Sequence, residues 1–302
     1  MNALLTGASG FVGRNLIEFL LSKKVNVYTI GRYAVEGVEH YPLPELWCND
    51  DLVNIIREVK PDFLFHLAGN RRLEGLREMF NINTYLGACL LNALTISGFN
   101  NRTKCLFFGS AAEYGLVTAA DLPLSETFLC KPYNDYGICK LAQTHYVSAW
   151  LCSGGRVTVV RPFTILGKQM PVTMAIGSFV SQVLNISNKG GQGVLHTGNL
   201  NISRDFVDVS DVVSICWELI NIDDANGEVI NICSGRALEL KKIVDYMIQL
   251  SGFEIKVEID KDRLRTIDID SHYGDNRKLL KLLDGFEFIH WKTSVKKMMG
   301  VI

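Results

Sequence analysis

Tyr136 and Lys140, in Tyr136-Gly137-Ile138-Cys139-Lys140, stand four residues apart, a spacing that puts a phenol and an ammonium on one face of a helix. A phenol of ordinary pKa near ~10 is a poor acid or base at neutral pH, but a neighbouring cation favours the phenolate and brings proton transfer within range. Upstream, the apolar run Leu106-Phe107-Phe108 ends in Gly109-Ser110-Ala111-Ala112-Glu113-Tyr114-Gly115. A serine at the C-terminal end of a buried strand faces the cleft, so the Ser110 hydroxyl is placed to polarise a substrate carbonyl beside the tyrosine.

A third element is the turn Thr6-Gly7-Ala8-Ser9-Gly10-Phe11-Val12-Gly13, between an apolar run and an amphipathic stretch. Glycines allow a tight strand-to-helix turn and let a pyrophosphate approach the backbone and the free N–H groups of the helix. Gly7, Ser9, Gly10, Phe11, Val12 and Gly13 are therefore candidate dinucleotide contacts. In NAD-specific sites an acidic residue about 20 residues further on holds the adenosine ribose. Here the second strand ends Ile30-Gly31-Arg32, with no carboxylate to repel a 2'-phosphate. Arg32, with Arg14 just past the third glycine, is suited to pair with one. The expected cofactor is NADP(H), with NAD(H) as the alternative.

These groups need a scaffold that brings strand ends together. The first half alternates short apolar runs (Ala3 to Leu5, Val25 to Ile30, Phe63 to Leu67, Lys104 to Phe108, Val157 to Val160) with helical patterns. Those patterns cover Gly10 to Leu21, Leu52 to Val59, Met79 to Ile96 and Tyr136 to Leu151. This is the mark of β-α-β units around a parallel sheet. Beyond Arg161 the alternation loosens. The expected architecture is an α/β Rossmann-type doubly wound parallel sheet with a smaller C-terminal α/β substrate lobe and a cleft at the carboxyl ends of the strands. Residues 1–166 and 205–235 are assigned to the dinucleotide-binding part, and 167–204 and 236–302 to the lobe.

Composition limits the rest. In 302 residues, 31 Lys and Arg balance 32 Asp and Glu, a formal charge of -1, which argues against a protein held to nucleic acid by its charge. The eight cysteines are scattered without a C-x-x-C pair or a Cys/His cluster, so reduced thiols and no metal site are expected. The N-terminus lacks the basic and apolar regions of a signal peptide, and no run of about 18 apolar residues occurs. A cytoplasmic protein without membrane association is expected.

With glycine turn, strand-end serine and Y-x-x-x-K in that order, the chain resembles the extended short-chain dehydrogenase/reductase family. His66-Leu67-Ala68-Gly69, Asn83, Arg161-Pro162-Phe163, Arg204-Asp205-Phe206-Val207-Asp208-Val209 and Asn231-Ile232-Cys233-Ser234-Gly235 look like its further blocks. The resemblance implies Ser110, Tyr136 and Lys140 as the catalytic triad, with Lys140 also holding the nicotinamide ribose. It adds Leu67, Ala68, Gly69, Asn83, Arg161 and Phe163 to the cofactor-binding candidates. Arg71, Ser110, Thr164, Phe179, Arg204 and Arg265 are the substrate-binding candidates, Arg72 standing beside Arg71, and His66 reads as a packed core histidine. Members that dehydrate sugars carry an acid in the pair of positions that follows the strand-end hydroxyl, whereas this chain has Ala111 and Ala112 there, with Glu113 one position later. Gly198-Asn199-Leu200, Leu264-Arg265 and Gly274-Asp275-Asn276 look most like the GDP-4-keto-6-deoxy-mannose reductases, but Thr164 and Ala112 depart from them. The resemblance therefore implies an NADPH-dependent 4-ketoreductase acting on a nucleotide-linked 4-keto-6-deoxyhexose, in deoxysugar and surface polysaccharide biosynthesis, with the nucleotide, the sugar and the C4 configuration open. Alternatives are a nucleotide-sugar C4 epimerase or dehydrogenase with tightly bound NAD, and a non-catalytic dinucleotide-binding sensor. In the family the helices matching Met79 to Ile96 and Tyr136 to Leu151 pair across a two-fold axis, so a homodimer is implied.

Overall fold

Asn2–Thr6 is apolar at most positions rather than at alternate ones, and four of its five residues are buried, as suits a strand covered on both faces. In the computed structural model, which describes residues 1–44, 48–71, 75–264 and 267–302, it lies inside a seven-stranded sheet. The strands are β1 (Asn2–Thr6), β2 (Asn26–Gly31), β3 (Glu39–Pro42), β4 (Phe63–His66), β5 (Lys104–Phe108), β6 (Arg156–Pro162) and β7 (Thr164–Leu166), then β8 (Val194–Thr197), β9 (Ser203–Arg204), β10 (Phe206–Asp208), β11 (Val229–Ile232), β12 (Leu238–Glu239), β13 (Lys256–Ile259) and β14 (Ser271–His272). The helices are α1 (Phe11–Ser22), α2 (Asn49–Val59), α3 (Leu76–Phe80), α4 (Leu86–Ile96) and α5 (Asp135–Leu151), followed by α6 (Ala175–Asn188), α7 (Val209–Asn221), α8 (Leu240–Ser251), α9 (Arg277–Leu282) and α10 (Trp291–Met298).

The order across the main sheet is β11-β6-β5-β4-β1-β2-β3, with every pairing parallel. The chain builds outward from β1 through β2 to β3, then crosses back to start β4 on the other side of β1. Between β1 and β4 the winding reverses, and the strand ends part there into a crevice. One face of the sheet is covered by α1 and α7 through Leu16, Leu20, Val212 and Leu219. The other is covered by α2, α4 and α5 through Ile56, Leu90, Val147 and Trp150. Each such side chain contributes about 2 kcal/mol on burial. A separate cluster around Phe179, Val183, Leu195, Ile243, Met247 and Val295 forms the core of the smaller lobe. Within the C-terminal stretch assigned to that lobe, Leu279 and Leu283 pack back into the main core with α1 and α7.

Two features differ from the periodicity reading. The edge strand β3 was not apparent, because its Glu39-His40-Tyr41-Pro42 carries little apolar signal. The single helix expected over Met79 to Ile96 begins at Leu76 and is interrupted by a π segment at Asn81–Tyr85. Asn83 is the cause: its Nδ2 donates to the Met79 carbonyl at 2.9 Å and to the Asn70 carbonyl at 3.0 Å, while its Oδ1 accepts the Asn70 N–H at 2.9 Å. A side chain inserted into the ladder widens the turn. All eight cysteines are free thiols. Among the described residues, no helix is long and apolar enough to cross a membrane.

Candidate active site

The glycine turn closes directly onto the switch point. Gly7 has φ +70°, and a Cβ there would lie 2.6 Å from the Ala68 nitrogen at the end of β4. At Gly13 a Cβ would stand 2.4 Å from the Gly7 carbonyl. Both positions exclude any larger residue, so β1, α1 and β4 meet backbone to backbone. Beside this turn opens a cleft of about 1110 Å³, lined at one end by Gly7 to Gly13, Gly31, Arg32 and Tyr33 and at the other by Ser110, Tyr136, Lys140 and Phe163. A Cβ at Gly31 would meet nothing within 4 Å, so the end of β2 borders open space. An extended dinucleotide with its pyrophosphate at the N-terminus of α1 fits this outline. Ser9, Gly10, Phe11, Val12, Leu67, Ala68 and Gly69 also line it.

At the other end, Asn134 caps α5 by accepting the Gly137 N–H at 2.9 Å, which sets Tyr136 in the first turn and Lys140 one turn deeper. Lys140 is 1% exposed. Its Nζ donates to the Phe108 carbonyl at 2.8 Å, the Ala68 carbonyl at 3.2 Å and Gln143 Oε1 at 3.4 Å, so it is anchored across the ends of β4 and β5. Burial lowers its pKa to about 8, against the attraction of Glu113. The Tyr136 phenol is raised from its ordinary value by desolvation, while a hydrogen bond with the Ser110 side chain and the charge of Arg71 act in the opposite direction. Ser110 Oγ accepts the Ala112 N–H at 3.1 Å, which occupies an acceptor site and leaves the hydroxyl proton to donate.

The remaining candidates separate into those facing the cleft and those that do not. Arg71, Thr164 and Arg204 line it. Arg204 also joins β9 to the stretch before β14, donating to the Ser203 and Ile269 carbonyls at 2.8 and 2.6 Å and pairing with Asp268 at 3.2 Å. Arg32 lines the cleft in a half-exposed pair with Glu78 at 3.5 Å. Arg14 is instead turned back on the outside of the glycine turn, its Nε on the Ser9 carbonyl at 3.0 Å. Asn83 reaches no cleft surface and holds the loop after β4 instead. Phe179, expected at a base pocket, is 3% exposed in the lobe core, where the apolar face of α6 takes it. Arg161, expected at the cofactor, points away from the cleft into a buried ion pair with Glu113 at 2.9 Å, because a guanidinium in apolar surroundings requires a counter-charge. Arg265 and Arg72 lie outside the described residues. His66 is fully buried with Nδ1 at 2.8 Å from Thr6 Oγ1, and burial depresses its pKa to about 3.

Two residues at the site were not singled out as functional from sequence. His272 lines the cleft, its ring tilted on Phe163 at 5.3 Å; burial and Arg204 lower its pKa to about 4, leaving a neutral ring with one donor and one acceptor. A lone histidine in an irregular stretch gave no signal. Glu113 stood in plain view beside Ser110, but its partner lies 48 residues away.

A doubly wound sheet with a glycine turn at its switch point, and a serine, tyrosine and lysine converging on the same cleft, defines the class of Rossmann-fold NAD(P)-dependent oxidoreductases. The model of the NAD dependent epimerase/dehydratase family matches residues 3–233, and the chain belongs to that family. It is 31% identical over 281 residues to the GDP-6-deoxy-D-mannose reductase of Pseudomonas aeruginosa, covering 91% of this chain and 88% of that protein. It is 29% identical over 301 residues to the GDP-6-deoxy-D-talose 4-dehydrogenase of Aggregatibacter actinomycetemcomitans, covering 99% and 97%. Among solved structures it is similar to RMD from Pseudomonas aeruginosa complexed with NADPH, with TM-score 0.83, 26% identity and coverage of 99% and 98%. The UDP-glucose 4-epimerase of Thermotoga maritima shares the fold, with TM-score 0.86, 21% identity and coverage of 99% and 98%.

Proposed function

We propose that this protein reduces the C4 keto group of a nucleotide-linked 4-keto-6-deoxyhexose with NADPH. The observation that carries the reading is the complement of groups around Ser110. Tyr136 and Lys140 converge beside it, both following positions are alanine, and the next residue, Glu113, is buried in an ion pair. Such a site has the groups for one hydride and one proton transfer. It lacks, in the turn after the serine, a carboxylate free to take a C5 proton. The two curated relatives support it, both being oxidoreductases of GDP-linked 6-deoxyhexoses, one written as a reduction and one as an oxidation at C4.

Bound NADPH supplies the hydride to the carbonyl carbon. Tyr136 gives its phenolic proton to the carbonyl oxygen, Ser110 donates a hydrogen bond to the same oxygen as charge develops, and the Lys140 ammonium stabilises the phenolate left behind. Gly7 to Gly13, Gly31 and Leu67 to Gly69 hold the dinucleotide. Arg32 would hold the 2'-phosphate, since its exposed pair with Glu78 is of the kind worth little and could be exchanged for a phosphate. Arg71, Thr164, Arg204 and His272 face the nucleotide sugar.

Mixed with NADPH and freshly generated GDP-4-keto-6-deoxy-mannose, the pure protein is expected to deplete absorbance at 340 nm and to bind NADPH more tightly than NADH. The rate should be level below pH 8 and fall as pH rises through about 8, because the proton that Lys140 holds below its pKa is lost above it. No turnover of GDP, dTDP, CDP or UDP keto-sugars would end the reading, and protein purified with tightly retained NAD would favour an epimerase or dehydrogenase. We further propose a homodimer. Tyr85 of the π segment and Ile138 and Tyr146 of α5 are 57%, 43% and 43% exposed on neighbouring helices, an apolar surface that a second copy would cover. Sedimentation at micromolar concentration should give twice the chain mass, and a monomer there would refute it.

A further inference from the structure

Among the described residues, Glu113 is a carboxylate that touches the chain segment bearing Ser110, the helix bearing Tyr136 and Lys140, and the strand leading into Phe163 and Thr164. It is fully buried. Its Oε1 accepts the backbone N–H of Ser110 at 2.8 Å. Its Oε2 accepts the Thr144 hydroxyl at 3.0 Å and Arg161 Nε–H at 2.9 Å. Thr144 lies one turn beyond Lys140 on α5, and Arg161 stands next to last in β6.

We propose that Glu113 is a positioning residue for the reaction, a buried brace that sets the Ser110 hydroxyl against the Tyr136 phenol. The inference rests on the reading that Ser110, Tyr136 and Lys140 carry the chemistry. Three further observations support it. A buried ion pair is costly to desolvate and is often no more stable than apolar residues of the same volume, so stability alone is a weak reason for one among Ala111, Tyr114, Phe163 and Cys233. The surroundings are shaped for the carboxylate: a Cβ at Gly109 would lie 2.4 Å from Glu113 Oε1, so only glycine lets it reach the Ser110 amide. Arg161 is held from its other side by the ring of Tyr114 at 5.0 Å, whose hydroxyl donates to Asn231 Oδ1 at 2.6 Å. Ser110 is therefore gripped twice, by Glu113 at its N–H and by the Ala112 N–H at its Oγ. Its donor direction follows from the backbone rather than from rotamer choice.

The charge of Glu113 also reaches Lys140. That ammonium is faced by Glu113 from the turn after β5, by His66 from β4, and by Cys139 on its own helix, and of these Glu113 is the carboxylate.

Two variants test the brace. Glu113→Gln keeps the shape and removes the charge. The pair Glu113→Leu with Arg161→Met removes the brace without leaving a buried unpaired charge. The double variant is expected to fold, to bind NADPH with unchanged Kd, and to lose roughly 10- to 100-fold in kcat with little change in KM. Its crystal structure should show the Ser110 hydroxyl displaced from Tyr136. Glu113→Gln should move the alkaline limb of the pH profile to lower pH, a change that a purely structural role would not produce. A folded double variant with Ser110 in place and turnover within about twofold of wild type would overturn the proposal. If the double variant does not fold, Glu113→Gln decides, and an unchanged kcat and pH profile overturns it. Wild-type protein inactive on every keto-sugar would instead defeat the proposed function, while the position of Ser110 in the variant crystals would still judge the brace.

Discussion

Tyr136→Phe is expected to lower keto-sugar reduction by about 10²- to 10⁴-fold, the range for loss of a positioned general acid, with the fold and the Kd for NADPH unchanged. Only the hydroxyl is removed. The ring keeps its place in the first turn of α5, capped by Asn134, and Ser110 keeps the grip of Glu113 and Ala112. The phenol is already desolvated enough to hold its proton firmly, so phenylalanine leaves no new unsatisfied charge, and melting temperature should move by no more than a few degrees. Initial rates at 340 nm and a fluorescence titration with NADPH read the two effects separately. A variant retaining more than a tenth of wild-type turnover would show that another group donates the proton. Preserved biological function despite the substitution would favour the dinucleotide sensor.

Lys140→Met should abolish most turnover and yet not weaken the fold. The ammonium is buried at the ends of β4 and β5, and its pKa of about 8 lies below the ordinary 10.5. A lysine whose folded-state pKa is depressed opposes folding wherever the unfolded chain keeps the proton, here by about 3 kcal/mol below pH 8. That opposition fades as pH climbs from 8 to 10.5. Methionine removes it at the expense of donors to the Ala68 and Phe108 carbonyls, of which Phe108 retains Gln143 Nε2 at 3.0 Å. An unpaired Ala68 carbonyl offsets about 1–3 kcal/mol, so the variant should be as stable as wild type at pH 7 or up to about 2 kcal/mol more so. Wild type should gain on the variant between pH 8 and pH 10. Thermal melts at pH 7 and 9.5 test both statements, and a variant melting well below wild type at pH 7, with no change in the difference at pH 9.5, would show that Lys140 supports the fold. A buried cation that opposes folding at neutral pH is what a site retained for chemistry, rather than for stability, displays.

Much of this was legible along the chain because it is local. The glycine turn, the strand-end serine and the tyrosine–lysine pair each fit within one strand-turn-helix unit, where spacing alone sets which side chains share a face. Short, mostly apolar runs of three to six residues marked β1, β2, β4, β5 and β6 because parallel strands are buried on both faces. The edge strand β3 carries no such run and escaped. The π segment escaped too, since it depends on Asn83 reaching Asn70 across a loop, and periodicity does not register an extra residue in one turn.

The arginines mark the limit most plainly. Arg14, Arg32, Arg161 and Arg204 are equivalent as letters, each a cation near a motif. In the folded chain Arg32 faces the cleft, Arg14 folds back on Ser9, Arg204 joins two strands while lining the cleft, and Arg161 is buried against Glu113. A charge is assigned by the counter-charge and the dielectric around it, and for Arg32, Arg161 and Arg204 the counter-charge comes from residues tens of positions away. The sequence by itself determined the class of fold, the family and the residue types meeting at the strand ends, because backbone angles and short-range spacing suffice for those. The tertiary structure alone decided which cations face the cleft, that Glu113 faces inward to grip Ser110, and that His272 stands in the cleft, because burial and long-range pairing exist only once the strands are assembled.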